Sequence, residues 1–246
     1  MSCAPFHGWR FDCEGTNTLI PYSKRTNAKG RLRTYPLIER NGLMMAWYHP
    51  TDGPPQWEVP EVPEFNGDEQ FTPMVTRRYD VKAPWQELAE NGVDSAHFRY
   101  VHNTEEVPEL TGYDTDGPIA RMRSIQKFPT PRGVVDGHIF ADSYGPGFSV
   151  IHFGGIVDTV LMGCNTPIDD QHCEMRFSFS VRKLGDDSIN STVGDAFVAE
   201  IDRQVREDRP IWENKAFLPD PHWPTPTVRS PSSGAGPHSS TPRGSR

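Results

Sequence analysis

Two histidines, His97 and His102, stand five residues apart, and an aspartate, Asp94, precedes the first by three positions. Neutral imidazoles ligate transition metals, and an acid one helical turn from an imidazole is placed to interact with it. On an ideal helix His97 and His102 are about 140° apart. Both reach one metal only if the helix ends or bulges between them, a break often met at functional sites. For any single histidine a surface or core role outweighs ligation. The grouping is what points to a metal.

A carboxylate completes the set from far along the chain. With Ile201 as the zero of angle, Val205 falls at about +40°, Asp208 at about −20° and Trp212 at about +20° on a helix. Asp208 therefore sits in the middle of the stripe that must be buried. An ionised carboxylate there costs on the order of several kcal/mol unless a cation, a metal or hydrogen bonds compensate it. A buried ion pair is the alternative to metal ligation. Asp202, Glu207 and Glu213 fall on other faces and are expected in solvent. Two imidazoles and one carboxylate leave open positions on an octahedral ion, the facial arrangement of non-haem Fe(II) sites. Zinc hydrolysis uses the same ligand types, so the triad does not by itself select a reaction.

These residues need elements to hold them. Pro84 suits a first helical turn, and Trp85, Leu88, Ala89, Gly92 and Ala96 recur at helical spacing, which predicts a helix over 84–98. A second helix is predicted over 193–215, with Phe197, Ile201, Val205 and Trp212 on one stripe. Between 121 and 183, short alternating runs such as 148–153 and 175–181 predict an antiparallel sheet. That alternation also predicts a pocket lined by Phe, Met, Val and Ile, with His97 and His102 at its floor. Short apolar stretches at 18–21 and 42–48 read as a small β unit over 1–55, and the Pro- and Gly-rich 53–67 as a linker. Strands bracketed by helices make the fold class α+β. The catalytic unit is placed at 56–218, and the Pro/Ser/Gly-rich 219–246 is read as a disordered tail.

Composition narrows the function classes. The chain has 246 residues, 35% of them hydrophobic, and a formal charge of −8. That charge offers no general attraction to nucleic acid or anionic lipid. No stretch approaches the roughly 20 apolar residues of a membrane span, and the first residues lack a signal-peptide pattern. A cytoplasmic protein is the expectation. Four cysteines in such a chain read as thiols, ligands or core residues rather than as a disulfide framework.

The N-terminus carries a second motif. Cys3 and His7, with Gly8 and Trp9 directly after the histidine and Ile20, Pro21 and Tyr22 downstream, resemble the second half of a Rieske ferredoxin motif. Two cysteines and two histidines hold such a cluster. Together with Asp94, His97, His102 and Asp208, this run is similar to the oxygenase (alpha) component of the Rieske non-haem iron oxygenases, closest to the branch of the 3-ketosteroid 9α-hydroxylases and cholesterol 7-desaturases. The resemblance runs from Cys3 to about Lys215. It implies that His97, His102 and Asp208 bind mononuclear Fe(II) and that Cys3 and His7 bind a [2Fe–2S] Rieske cluster. It assigns Asp94 to electron coupling from a neighbouring subunit. It further implies a partial Rieske β domain before a catalytic domain with a curved antiparallel sheet and a long C-terminal helix, helix-grip-like, usually in a homotrimer. The expected reaction is O2-dependent hydroxylation or desaturation of a steroid or similar apolar polycycle, with electrons from NAD(P)H through a ferredoxin-type reductase. Two departures are expected to leave the cluster incomplete. The family's first Cys/His pair belongs upstream of Cys3, as in an N-terminally truncated chain, and three residues separate Cys3 from His7 where the family has two.

Other candidates read as structural. Cys13, Cys164 and Cys173 lack partners at metal-binding spacing, and His138, His152 and His172 lie in strand or turn contexts. Lys24, Arg25, Lys29, Arg31 and Arg33 form a basic stretch, read as solvated surface with electrostatic steering of an acidic electron donor as the alternative. Asn91, one turn before Asp94, is a candidate for a residue behind the metal ligands. Two rival functions remain: a non-catalytic module that binds hydrophobic ligands, and a zinc hydrolase built on the same triad.

Overall fold

The computed structural model describes residues 2–130 and 133–216. The expected tail at 219–246 lies outside the described residues. Near the N-terminus, β1 (Ser2–Cys3), β2 (Arg10–Phe11) and β3 (Asn17–Leu19) form a three-stranded sheet, and β4 (Leu37–Arg40) pairs with β5 (Leu43–Ala46). The β4–β5 hairpin turns on Asn41 and Gly42, whose φ angles of 55° and 73° are the left-handed values that a two-residue hairpin demands.

The main sheet has seven antiparallel strands: β6 (Val75–Val81), β7 (Glu109–Asp116), β8 (Ile119–Thr130), β9 (Gly133–Tyr144), β10 (Phe148–Gly154), β11 (Thr159–Asp169) and β12 (His172–Val181). Their spatial order is β6-β12-β11-β10-β9-β8-β7. From β7 to β12 each strand pairs with its sequence neighbour, whereas β6 joins β12 across the sheet edge. Between β6 and β7 the chain forms α1 (Trp85–Asn91) and α2 (His97–Tyr100), and after β12 comes α3 (Asp187–Asn214).

Strand alternation gives the sheet two apolar faces. Leu161, Met175 and Phe179 pack with Val198, Ile201, Val205 and Trp212 of α3. Val150, Val160 and Met162 point the other way and pack with Val62, against Leu43 and Met45 of β5. The main sheet therefore lies between α3 and the N-terminal hairpin. Val62 is 3% exposed and its N–H donates to the Asn41 side chain, so the stretch read as a linker is packed into a core.

Both predicted helices are present with different bounds. The one predicted over 84–98 is two short helices, because the Asp94 carboxylate accepts hydrogen bonds from the N–H groups of Ala96 and His97 and opens a new turn there. The second begins earlier than 193, where the Asp186 side chain caps the Ile189 N–H. Its flanks are more engaged than expected: Tyr79 donates its hydroxyl to Asp202, and the Lys82 N–H donates to Glu213. A helix laid on a sheet brings the positions beside its buried stripe within reach of the neighbouring strand, here β6.

Candidate metal centre

His97 opens α2, and His102 follows just after that helix ends, where the chain bends. The short helix and the turn bring the two imidazoles together, with ring centroids 5.1 Å apart. Asp208 approaches from α3 at the centre of its buried stripe, as the periodicity predicts, and is 5% exposed. Its Oδ2 lies 3.3 Å from His102 Nε2. One ligand atom each from His97, His102 and Asp208 all lie within 4.8 Å of one another.

Both imidazoles present the same nitrogen. His97 Nδ1 lies 2.5 Å from the Asp94 carbonyl oxygen, and His102 Nδ1 lies 2.9 Å from Glu207 Oε2. A carbonyl or ionised carboxylate oxygen only accepts, so each Nδ1 carries a hydrogen, and in the neutral ring each Nε2 keeps the lone pair that a metal takes. Burial alone would lower the pKa of His102, but hydrogen bonds to Asp208 and Glu207 outweigh it and raise it above the ordinary value. Glu207 is held below the usual carboxylate range by its hydrogen bond to His102 first and by Arg203 as well. Glu207, which helical geometry turns towards solvent, is the neighbour of the triad that the sequence does not reveal. Its partner lies 105 residues away, so no local spacing signals it.

The donor set fits a divalent iron. An ion with N and O ligands at about 2.1 Å places adjacent ligand atoms about 3 Å apart, close to the 3.3 Å between His102 and Asp208. Asp208 Oδ1 is buried without a hydrogen-bond partner, an arrangement that calls for a cation. His97 is half-buried, so the cluster opens to the outside on its side. Beside it, Phe98 packs on Met122, Ile139 and Ala141 together with Ile151 and Phe153, an apolar wall from β8, β9 and β10. The two cavities described, of about 480 and 470 Å³, lie elsewhere, beside Arg33 and Trp47 and between Trp85 and Asp169.

The remaining candidates are not part of the triad. Asp94 is exposed. Its carboxylate starts α2 while its carbonyl orients His97. The Asn91 carbonyl accepts from the Asp94 N–H at 3.4 Å. Cys3 and His7 are both exposed; the Cys3 thiol faces the Ala4 carbonyl, and the His7 ring stacks edge-on against Phe6 and Tyr22. A Rieske cluster needs two cysteines and two histidines together. Among the described residues the triad is the metal-capable group of three or more, and Cys3 and His7 supply one cysteine and one histidine of the four ligands that such a cluster takes. His138 stacks on Phe140, His152 lies 3.6 Å from Glu64, and His172 pairs with Asp169. The basic stretch is exposed, and Arg33 pairs with Asp52 between the rings of Tyr35 and Tyr48.

Comparison with known proteins agrees with this architecture. The chain is 29% identical to the oxygenase component of a 3-ketosteroid-9-alpha-monooxygenase of Rhodococcus rhodochrous, over 88% of this chain and 61% of that protein. It is 26% identical to cholesterol 7-desaturase nvd of Xenopus laevis, over 88% of this chain and 53% of that protein. The chain thus spans less than two thirds of these curated relatives. Among solved structures, the NdmA QL mutant of Pseudomonas putida CBB5 with caffeine superposes with a TM-score of 0.68 at 21% identity, covering 90% of this chain and 65% of that one. Dicamba monooxygenase bound to 3,6 dichlorosalicylic acid gives a TM-score of 0.67 at 20% identity, over 85% and 68%. The family model described as the 3-ketosteroid 9alpha-hydroxylase C-terminal domain matches residues 46–224, which include the main sheet and the elements carrying His97, His102 and Asp208. The chain belongs to that family.

Proposed function

We propose that this chain is the catalytic part of the oxygenase component of a Rieske-type monooxygenase or desaturase acting on a steroid or a similarly apolar polycycle. Residues 56–218 form its catalytic unit, and 1–55 are part of an electron-transfer domain. The observation that carries the reading is the convergence of His97, His102 and the buried Asp208 carboxylate, whose Oδ1 lacks a hydrogen-bond partner, inside the family-matched segment. The relatives' names, a 3-ketosteroid monooxygenase and a cholesterol desaturase, support the substrate class.

Ferrous iron, when bound, supplies the reductive activation of O2 that C–H hydroxylation or desaturation requires. Each residue then has its task. His97 and His102 donate through Nε2, and Asp208 adds the third ligand and the charge that its burial demands. The wall of Met122, Ile139, Ala141, Ile151 and Phe153 meets the apolar substrate and keeps water from it. Asp94, exposed at the start of α2 and bonded through its carbonyl to His97, is where electron or proton coupling from a neighbouring subunit enters. Electrons come from NAD(P)H through a ferredoxin-type reductase, and the assembly is a cytoplasmic homotrimer. No described helix is long and apolar enough to cross a membrane.

The test supplies the iron-loaded oxygenase, in a full-length form that carries a complete Rieske cluster, with a ferredoxin reductase, NADH, O2 and a 3-ketosteroid or cholesterol. NADH-dependent formation of a hydroxylated or desaturated steroid is expected. Binding of steroid without product across these substrates would favour the non-catalytic module. Full retention of zinc, with ester or amide hydrolysis and no oxidation, would favour the hydrolase.

A further inference from the structure

Two consecutive residues of α3 grip the two nitrogens of one buried ring. The side chain of His102 is 1% exposed, with Asp208 on its Nε2 and Glu207 on its Nδ1. Neighbouring helical positions diverge by about 100°, so they hold opposite edges of a ring only if that ring is wedged against the helix. His102 is wedged in this way, with the Phe98 ring packed edge-on against it at 5.6 Å. Glu207 is itself held. Its Oε1 accepts from Arg203 Nη1 at 2.5 Å, one turn back, and Arg203 also binds Glu200. One oxygen of Glu207 is thus committed to an anchor and the other to the ring.

We propose that Glu207, anchored by Arg203, is a positioning residue for the metal, which fixes His102 in the Nδ1–H form and thereby aims the Nε2 lone pair at the ion. This inference rests on the reading of His97, His102 and Asp208 as ligands. Without Glu207, the buried ring is free to place its hydrogen on Nε2, where Asp208 Oδ2 accepts it. That arrangement satisfies both side chains with no metal and closes the site. With Glu207 in place, the hydrogen is claimed on the far edge, and the carboxylate makes the imidazole a stronger donor. The competing reading of the contact is an ordinary ion pair at a helix edge, which affects stability little and metal affinity not at all.

Metal titration of the whole chain separates the two. Anaerobic Fe(II) binding, measured by chelator competition, is compared for wild type, Glu207→Ala, Glu207→Gln and Asp208→Ala. Glu207→Ala is expected to weaken binding by about 10–100-fold, the usual loss when a carboxylate behind a histidine ligand is removed. Glu207→Gln, whose amide oxygen still accepts from Nδ1–H, recovers most of that loss. In the Zn(II)-loaded chain, a slowly exchanging downfield Nδ1–H proton of His102 should appear by NMR in wild type and Glu207→Gln and vanish in Glu207→Ala. Wild-type affinity together with an unchanged NMR signal in Glu207→Ala would overturn the proposal. If that variant does not fold, Arg203→Met provides the same measurement away from the ligands. A loss of about threefold or more in that variant supports the anchor, and unchanged affinity refutes it. Failure of wild type to bind Fe(II) would instead remove the ligand reading itself. Loss of binding in Asp208→Ala with none in Glu207→Ala would remove only the positioning role.

Discussion

Lys215 Nζ lies 2.6 Å from Oε2 of Glu87, clasping the end of α3 to the helix that leads towards His97. Glu87 is 1% exposed, so the ammonium supplies the charge that its burial demands. The same nitrogen also pairs with Glu90, one turn on. The helix that carries Asp208 and the one that leads towards His97 are therefore tied by charge as well as by the apolar core.

Removing that clasp should be costly. Breaking a buried pair from one side costs on the order of 3–5 kcal/mol, and about 2 kcal/mol is expected here because Lys215 is partly in solvent. Lys215→Ala should lower the melting temperature by about 4–8 °C. The double variant Glu87→Leu with Lys215→Met should recover most of it, since no unpaired charge is left buried. An unchanged melting temperature in Lys215→Ala would show that water already shields Glu87.

Asp94→Asn should leave folding and iron content intact yet sharply reduce coupled turnover in the full-length, reductase-supplied form of the protein. Asparagine retains the oxygen that accepts from Ala96 and His97 and leaves the carbonyl that orients His97 unchanged, so only the charge is removed. Lost iron in this variant would move Asp94 from coupling to metal binding.

The cysteines should divide into two classes of reactivity. Desolvation pushes the Cys164 and Cys173 thiols up to about 11. At pH 8 their thiolate fraction is then on the order of one in a thousand, and the thiolate is what reacts. Cys3 and Cys13 are exposed. Mass spectrometry after iodoacetamide treatment should find Cys3 and Cys13 modified well before Cys164 and Cys173, which become reactive on unfolding. Early modification of Cys173 in the folded chain would contradict the packing of β12 against α3.

The triad was legible because ligation needs particular residue types and because one stripe put Asp208 where only a compensated carboxylate belongs. The break that joins His97 to His102 was legible only as a requirement. The Asp94 side chain that turns the backbone there also fits a helix on local periodicity. The start of α3 at Asp187 was marked by Asp186, a cap that the apolar stripe alone did not register. The pairing of Asn41 and Gly42 announces the β4–β5 hairpin, yet the burial of Val62 by that hairpin does not follow from a Pro-rich stretch. Glu207 was hidden for the same reason. Its role depends on a contact with His102 that only the docking of α3 creates.

If His97, His102 and Asp208 hold one iron, it is read in the metal content of the purified chain after anaerobic reconstitution with Fe(II) and desalting. Wild type should hold about one iron per chain and Asp208→Ala almost none with its circular dichroism unchanged, because that variant loses a ligand and the compensating charge together. Full iron content in folded Asp208→Ala, or none in wild type, would contradict that ligand set.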